Sequence, residues 1–167
     1  MKVLKLLCLL LLSVSLCSAQ DTPAELGVAA VGLVVTDLEA SEVFYKDVLG
    51  FEAVGGFELD TTWSQEAGAA NGHPFGVKMF KLVNEKTATV LKLAYFDTVT
   101  ARPAQTGVDS YAGVNYLTFY YPELETVNQR LVNAGIDKLG WVKRDTYQLI
   151  FVRDPDGVFI ELIGPPD

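Results

Sequence analysis

A chain of 167 residues, half of them hydrophobic, is long enough for one domain with a substantial core, and nothing in it requires a second. Its formal net charge of −8 argues against nucleic acid or an anionic membrane as a partner. With no Gly-rich phosphate motif, no Gly-x-Ser-x-Gly elbow and a single histidine, phosphate cradling and a serine-hydrolase triad have little support.

Residues 1–19 have the build of a secretory signal. Lys2 and Lys5 precede an apolar run over residues 6–12, and Cys17-Ser18-Ala19 supplies a small-residue end before Gln20. The run is far shorter than the roughly 20 apolar residues of a membrane span. A lipoprotein signal modified at Cys17 is the competing reading, and the bulky Leu16 argues against it. Cleavage after Ala19 removes two lysines and no acid, which takes the charge from −8 to −10. It also removes Cys8 and Cys17, the only cysteines, so the expected mature protein has no disulfide, thiol nucleophile or thiolate metal site. The expectation is a secreted or periplasmic protein with no membrane contact after cleavage. The acidic surface reads as a solubility device, with an acidic groove for a cationic ligand as the sharper option.

Past a linker over residues 20–27, residues 28–163 read as a single domain in which one supersecondary unit is written twice. The first copy, 28–96, opens with an apolar strand at 28–35. Thr36-Asp37-Leu38-Glu39 has capping-box spacing and starts a helix predicted over 38–49. Leu38, Glu42, Tyr45 and Leu49 share its stripe, Phe44 and Val48 widen it, and Gly50 ends it. Strands are predicted at 51–55, 77–83 and 87–96. The Gly- and Ala-rich stretch 57–76, around Asn71-Gly72-His73-Pro74, reads as a long loop, functional or disordered.

A linker at 97–109, with Pro103 and Gly107, leads to the second copy, 110–163. A strand is predicted at 113–121, then Pro122 suited to a first helical turn, and a helix over 123–134 with Leu124, Val127, Leu131 and Ala134 on one face before Gly135. Strands at 138–142, 147–153 and 158–163 follow, the last two joined by the turn Asp154-Pro155-Asp156-Gly157. Residues 164–167 form a tail. Each half is marginal alone, so the two are expected to pack together.

Val35-Thr36-Asp37-Leu38-Glu39-Ala40-Ser41, then Phe44-Tyr45 and Val48-Leu49-Gly50-Phe51, resembles the first-module signature of the vicinal oxygen chelate superfamily of glyoxalases, bleomycin-resistance proteins and extradiol dioxygenases. The turn at 154–157 followed by Ile160-Glu161-Leu162 is similar to its closing hairpin. The resemblance implies an α+β fold: two βαβββ modules in one curved, eight-stranded mixed sheet around a cavity. It also implies a divalent metal on the cavity floor, at positions that fall on Ala30, Lys92, Asn115 (with a slip to Val114 as the variant) and Glu161. Ala offers no donor, an ammonium repels a dication, and Asn115 with Glu161 supplies fewer than the three protein donors of a catalytic site. Two histidines and a carboxylate for ferrous dioxygenation cannot come from one His. No cofactor is therefore expected, with a divalent metal as the alternative.

Strand alternation from those positions selects a pocket of Val34, Lys92, Asn115, Leu117, Gln148, Ile150, Phe159 and Glu161, if the turn at 154–157 has four residues and pairs Ile150 with Glu161. The competing reading is a filled core. Lys92 and Glu161 are expected to form an ion pair in place of the metal. The leading functional expectation is a metal-independent small-molecule binding protein of the bleomycin-resistance type. The alternative is a lyase, isomerase or dioxygenase relative with Glu161, Lys92 or His73 as acid and base. His73 also reads as an exposed loop residue. The resemblance admits a homodimer as well.

Overall fold

The computed structural model describes residues 27–166, so the signal segment and Asp167 lie outside the described residues. Eight strands form two four-stranded sheets, one per module, instead of one continuous sheet. The first module comprises β1 (Ala30–Val34), α1 (Leu38–Glu42), β2 (Glu52–Leu59), α2 (Thr61–Ala67), β3 (Phe75–Lys81) and β4 (Val90–Tyr95). The second comprises β5 (Tyr116–Tyr120), α3 (Leu124–Asn133), β6 (Gly140–Lys143), β7 (Gln148–Arg153) and β8 (Phe159–Gly164). The strand orders, β1-β4-β3-β2 and β5-β8-β7-β6, are the same arrangement used twice, with β1 parallel to β4 and β5 parallel to β8. No helix among the described residues is long and apolar enough to cross a membrane.

The first helix is capped one residue later than the capping-box spacing suggests: Asp37 Oδ1 accepts the Ala40 N–H at 3.0 Å. Thr36 is used elsewhere, donating its N–H and hydroxyl to Asp156 Oδ1 in the second module, at 3.1 and 2.6 Å. From Val43 to Val48 the helix widens into a π-turn, shown by the Leu49 N–H bonded to the Phe44 carbonyl five residues back. The wider turn lets Phe44, Tyr45, Val48 and Leu49 all bury. Gly50 follows with φ +84°, a conformation glycine adopts without a Cβ clash. The turn's last carbonyls are satisfied from the other module, by Arg130 Nε on Val48 O at 2.7 Å and the Tyr121 hydroxyl on Leu49 O at 2.9 Å.

One hydrophobic core runs through both modules on the helix side of the sheets, joining Phe80, Leu91 and Leu93 to Leu124, Leu131, Ile150, Ile160 and Leu162. The deepest polar link across it is the Tyr45 hydroxyl donating to Asp154 Oδ2 at 2.8 Å, where both residues are buried. Burial raises the Asp154 carboxyl above its ordinary value, partly offset by the bonds it accepts. Tyr45 is pushed up as well, first by burial and then by the facing Asp154.

The stretch expected to be a loop at 57–76 is largely ordered into elements. β2 runs on to Leu59, Asp60 Oδ1 caps α2 by accepting the Trp63 N–H at 2.8 Å, and β3 begins at Phe75.

Candidate functional site

The face of each sheet turned away from the core is where the family-like positions fall. In the first module Gly32 pairs with Lys92 and Val34 with Ala94, on the side opposite the buried Leu91 and Leu93. This open face holds a cavity of about 520 Å³ lined by Gly32, Phe57, Glu58, Leu59, Trp63, Phe75, Val77, Lys92 and Ala94. Its walls are aromatic: Trp63 meets Phe75 edge to face at 6.1 Å, and Phe96 stacks behind Phe75 at 4.8 Å. Lys92 is half-buried as a residue, and its ammonium lies 5.9 Å from the centre of the Phe57 ring.

In the second module the predicted register is off by one. Phe151, not Ile150, pairs with Glu161, and Ile150 pairs with Leu162. The turn takes in a fifth residue because Asp154 Oδ1 accepts the N–H groups of both Asp156 and Val158, at 3.0 and 2.7 Å, pulling Val158 out of the strand. A one-residue slip reverses the faces. Gln148 and Ile150 are therefore buried on the core side, with Trp141 Nε1 donating to Gln148 Oε1, and neither shares a face with Glu161. Glu161 instead accepts from the Thr118 hydroxyl at 2.7 Å. Phe159 keeps the Glu161 face but is covered by the Arg153 guanidinium, 4.1 Å from its ring centre.

Asn115 does not line the first-module cavity. Its buried amide holds the linker, accepting from Arg102 at 3.0 Å and Gln105 at 2.9 Å and donating to the Tyr111 carbonyl. Leu117 faces the core side with Phe119, where both pack against the common core and line a second cavity of about 320 Å³, separate from Lys92. Val34 is 53% exposed on the open face, beyond the cavity's lining. His73 is exposed, and its carbonyl, not its ring, is engaged, by the Ser64 hydroxyl at 2.7 Å. Lys92 and Glu161 form no ion pair within 4.0 Å, so the expected floor pair is absent.

The two modules give an internal ruler for the family's ligand positions. In the first, Lys92 stands opposite Gly32, two residues past Ala30; in the second, Glu161 stands opposite Thr118, two residues past Tyr116. The third position is therefore Tyr116, neither Asn115 nor Val114. The set is Ala30, Lys92, Tyr116 and Glu161, and its chemistry does not fit a divalent metal: one carboxylate, a phenol, a methyl group and an ammonium. Among the described residues no group of three or more His, Cys, Asp and Glu is placed to hold one.

Two modules with the same strand order, each leaving one sheet face open, define a fold of the glyoxalase kind. The chain belongs to the glyoxalase/bleomycin resistance protein/dioxygenase superfamily, whose family model matches residues 27–162. A glyoxalase family protein from Bacillus cereus is similar with a TM-score of 0.72 at 20% identity, covering 89% of this chain and 100% of that one. A glyoxylase/bleomycin resistance protein/dioxygenase domain from Frankia gives 0.63 at 19%, over 84% and 93% of the two chains. The trypanothione-dependent glyoxalase I of Leishmania major gives 0.62 at 20%, over 82% and 85%. At these identities the likeness is one of fold. No functionally curated protein matches.

Sequence reasoning missed Trp63, Phe57 and Phe75, since all three lie in the presumed loop or at its ends. The signal was present: Asp60 three residues before Trp63 is a helix cap, and Gly68, at φ +64°, is the matching stop.

Proposed function

We propose that this protein is a secreted, metal-independent small-molecule binding protein of the bleomycin-resistance type, taking its ligand in the open-face cavity of the first module. The observation that carries this reading is Lys92: an ammonium stands at a family ligand position and lines a cavity of about 520 Å³ with three aromatic side chains. That volume and its mostly apolar lining with few polar groups are usual for a small-molecule site. The ammonium supplies a charge that needs no ion to be loaded, and the methyl group of Ala30 leaves room where a ligand side chain would stand.

Elemental analysis and divalent-metal titration of the purified mature protein test the reading. The expected result is no stoichiometric metal and no thermal shift with zinc, nickel, manganese or ferrous iron; tight one-to-one binding of any of them overturns it. Secretion is tested by the intact mass of exported protein, where cleavage after Ala19 is expected and a retained Met1 or a lipid on Cys17 refutes it.

A further inference from the structure

We infer that the ligand of the first-module cavity is a flat aromatic anion, a monocarboxylate held by Lys92 with its ring between Trp63, Phe57 and Phe75. The inference rests on the cavity being the binding site, as proposed above, and specifies what the site selects. Three observations lead to it.

The first is an unanswered charge. Among the described residues Lys92 has neither a hydrogen bond nor an ion pair, only the Phe57 ring at 5.9 Å. A ring at that distance compensates the charge only weakly, so an ammonium that lines the cavity favours an incoming anion.

The second is that the nearby carboxylates are already occupied. Glu58 borders the cavity, but its carboxylate accepts from the Tyr95 hydroxyl. It also crowds Gly76, where an added Cβ would lie 2.6 Å from Glu58 Oε2, and by strand alternation Gly76 shares the face of Lys78 and Phe80, opposite Val77. The same bond pushes the Tyr95 phenol up to about 12. Asp60 is engaged as the cap of α2, and Glu161 is held by Thr118 on the other sheet. The ammonium is the one cationic side chain in the lining.

The third is the shape of the apolar wall. Trp63 and Phe75 meet edge to face, and Phe96 backs Phe75, so these rings brace one another. Trp63 itself is 44% exposed, an indole left open in the same lining as the ammonium. Rings paired in this way present faces and edges suited to a flat π system, whereas a flexible aliphatic acid would gain burial but no ring geometry. Glycine at 32 keeps the floor clear: a Cβ there would meet nothing within 4 Å, so the space beneath the ligand is open.

The test uses the mature chain with Trp141→Phe, which leaves Trp63 as its one indole. Fluorescence quenching is titrated with 1-naphthoate, its neutral counterpart 1-naphthamide and octanoate, with a chelator present. Naphthoate is expected to bind at least about tenfold more tightly than naphthamide, the worth of one hydrogen bond to a charged group. Octanoate is expected to bind more weakly than naphthoate. Lys92→Met is expected to abolish the preference for naphthoate while keeping naphthamide binding, and Lys92→Gln serves as the second variant should Met alter the fold. Equal binding of naphthoate and naphthamide by the parent protein overturns the anion assignment and leaves the cavity standing as the site. Octanoate binding as tight as naphthoate overturns the aromatic assignment. Failure of all three probes overturns the inference, and the metal titration then decides the underlying reading independently.

Discussion

Removing a single oxygen at Tyr45 tests how the two modules are fastened. Tyr45→Phe keeps the ring, which is fully buried and packs edge to face on Phe44 at 5.1 Å and Phe51 at 5.9 Å, so little volume is lost. What disappears is the donor to Asp154 Oδ2, a residue 109 positions away and 5% exposed. A hydrogen bond to a charged group contributes about 1.5–3 kcal/mol, and that is the expected loss at neutral pH. The loss depends on pH with a definite sign. Burial already holds the folded-state Asp154 pKa above its unfolded value, so the folded protein binds the extra proton and this group's contribution falls as pH rises through the folded pKa. The Tyr45 bond opposes that rise, so deleting it raises the folded pKa further. The penalty must therefore be small well below the unfolded pKa and reach its full size above the folded one. Urea unfolding followed by circular dichroism, run at intervals from roughly pH 3 to roughly pH 8, measures it. A loss under about 0.5 kcal/mol at neutral pH, or a loss that is larger in acid, would refute the argument.

Two further outcomes follow from side-chain partners. Lys92→Met is expected to change stability by no more than about 0.5 kcal/mol, because no partner is orphaned; a loss of about 3–5 kcal/mol in the same unfolding assay would mean that a buried pair had been broken after all. Asn115→Ala is expected to cost about 1–3 kcal/mol by leaving the buried Gln105 amide unpaired, and to speed proteolysis within residues 97–115 while naphthoate binding stays unchanged. A weakened naphthoate affinity without the stability loss would place Asn115 back in the site.

The modular fold was legible because its signals are local: the capping signal within 36–39, the stripe through Tyr45 and Leu49, the stops at Gly50 and Gly135, and the existence of a turn after Arg153 each act within a few residues. The site was less legible because its parity depends on one hairpin. Asp154 uses its side chain to capture two backbone N–H groups, a choice that competes with strand pairing and is not written in the turn's composition. That single capture moved Gln148 and Ile150 to the core. The first module has no such ambiguity at Lys92, since its strand is fixed by the buried Leu91 and Leu93 on either side, and there parity placed Val34 and Lys92 on the open face.

The internal ruler also explains why the two charged positions need not meet. Equivalent strands in the two modules are related by an equivalent register, so Lys92 and Glu161 occupy matching places on separate sheets, and no ladder joins β1 to β5. Each charge must then be answered within its own module. Glu161 is answered by Thr118, directly across the parallel pair, where a hydroxyl can reach the carboxylate. Lys92 has Gly32 across the same pair, which offers no side chain at all. The module that carries the acid supplies it with a donor, and the module that carries the base has no side chain at the opposite position. The asymmetry between Thr118 and Gly32 leaves the unanswered charge on the first sheet, not the second.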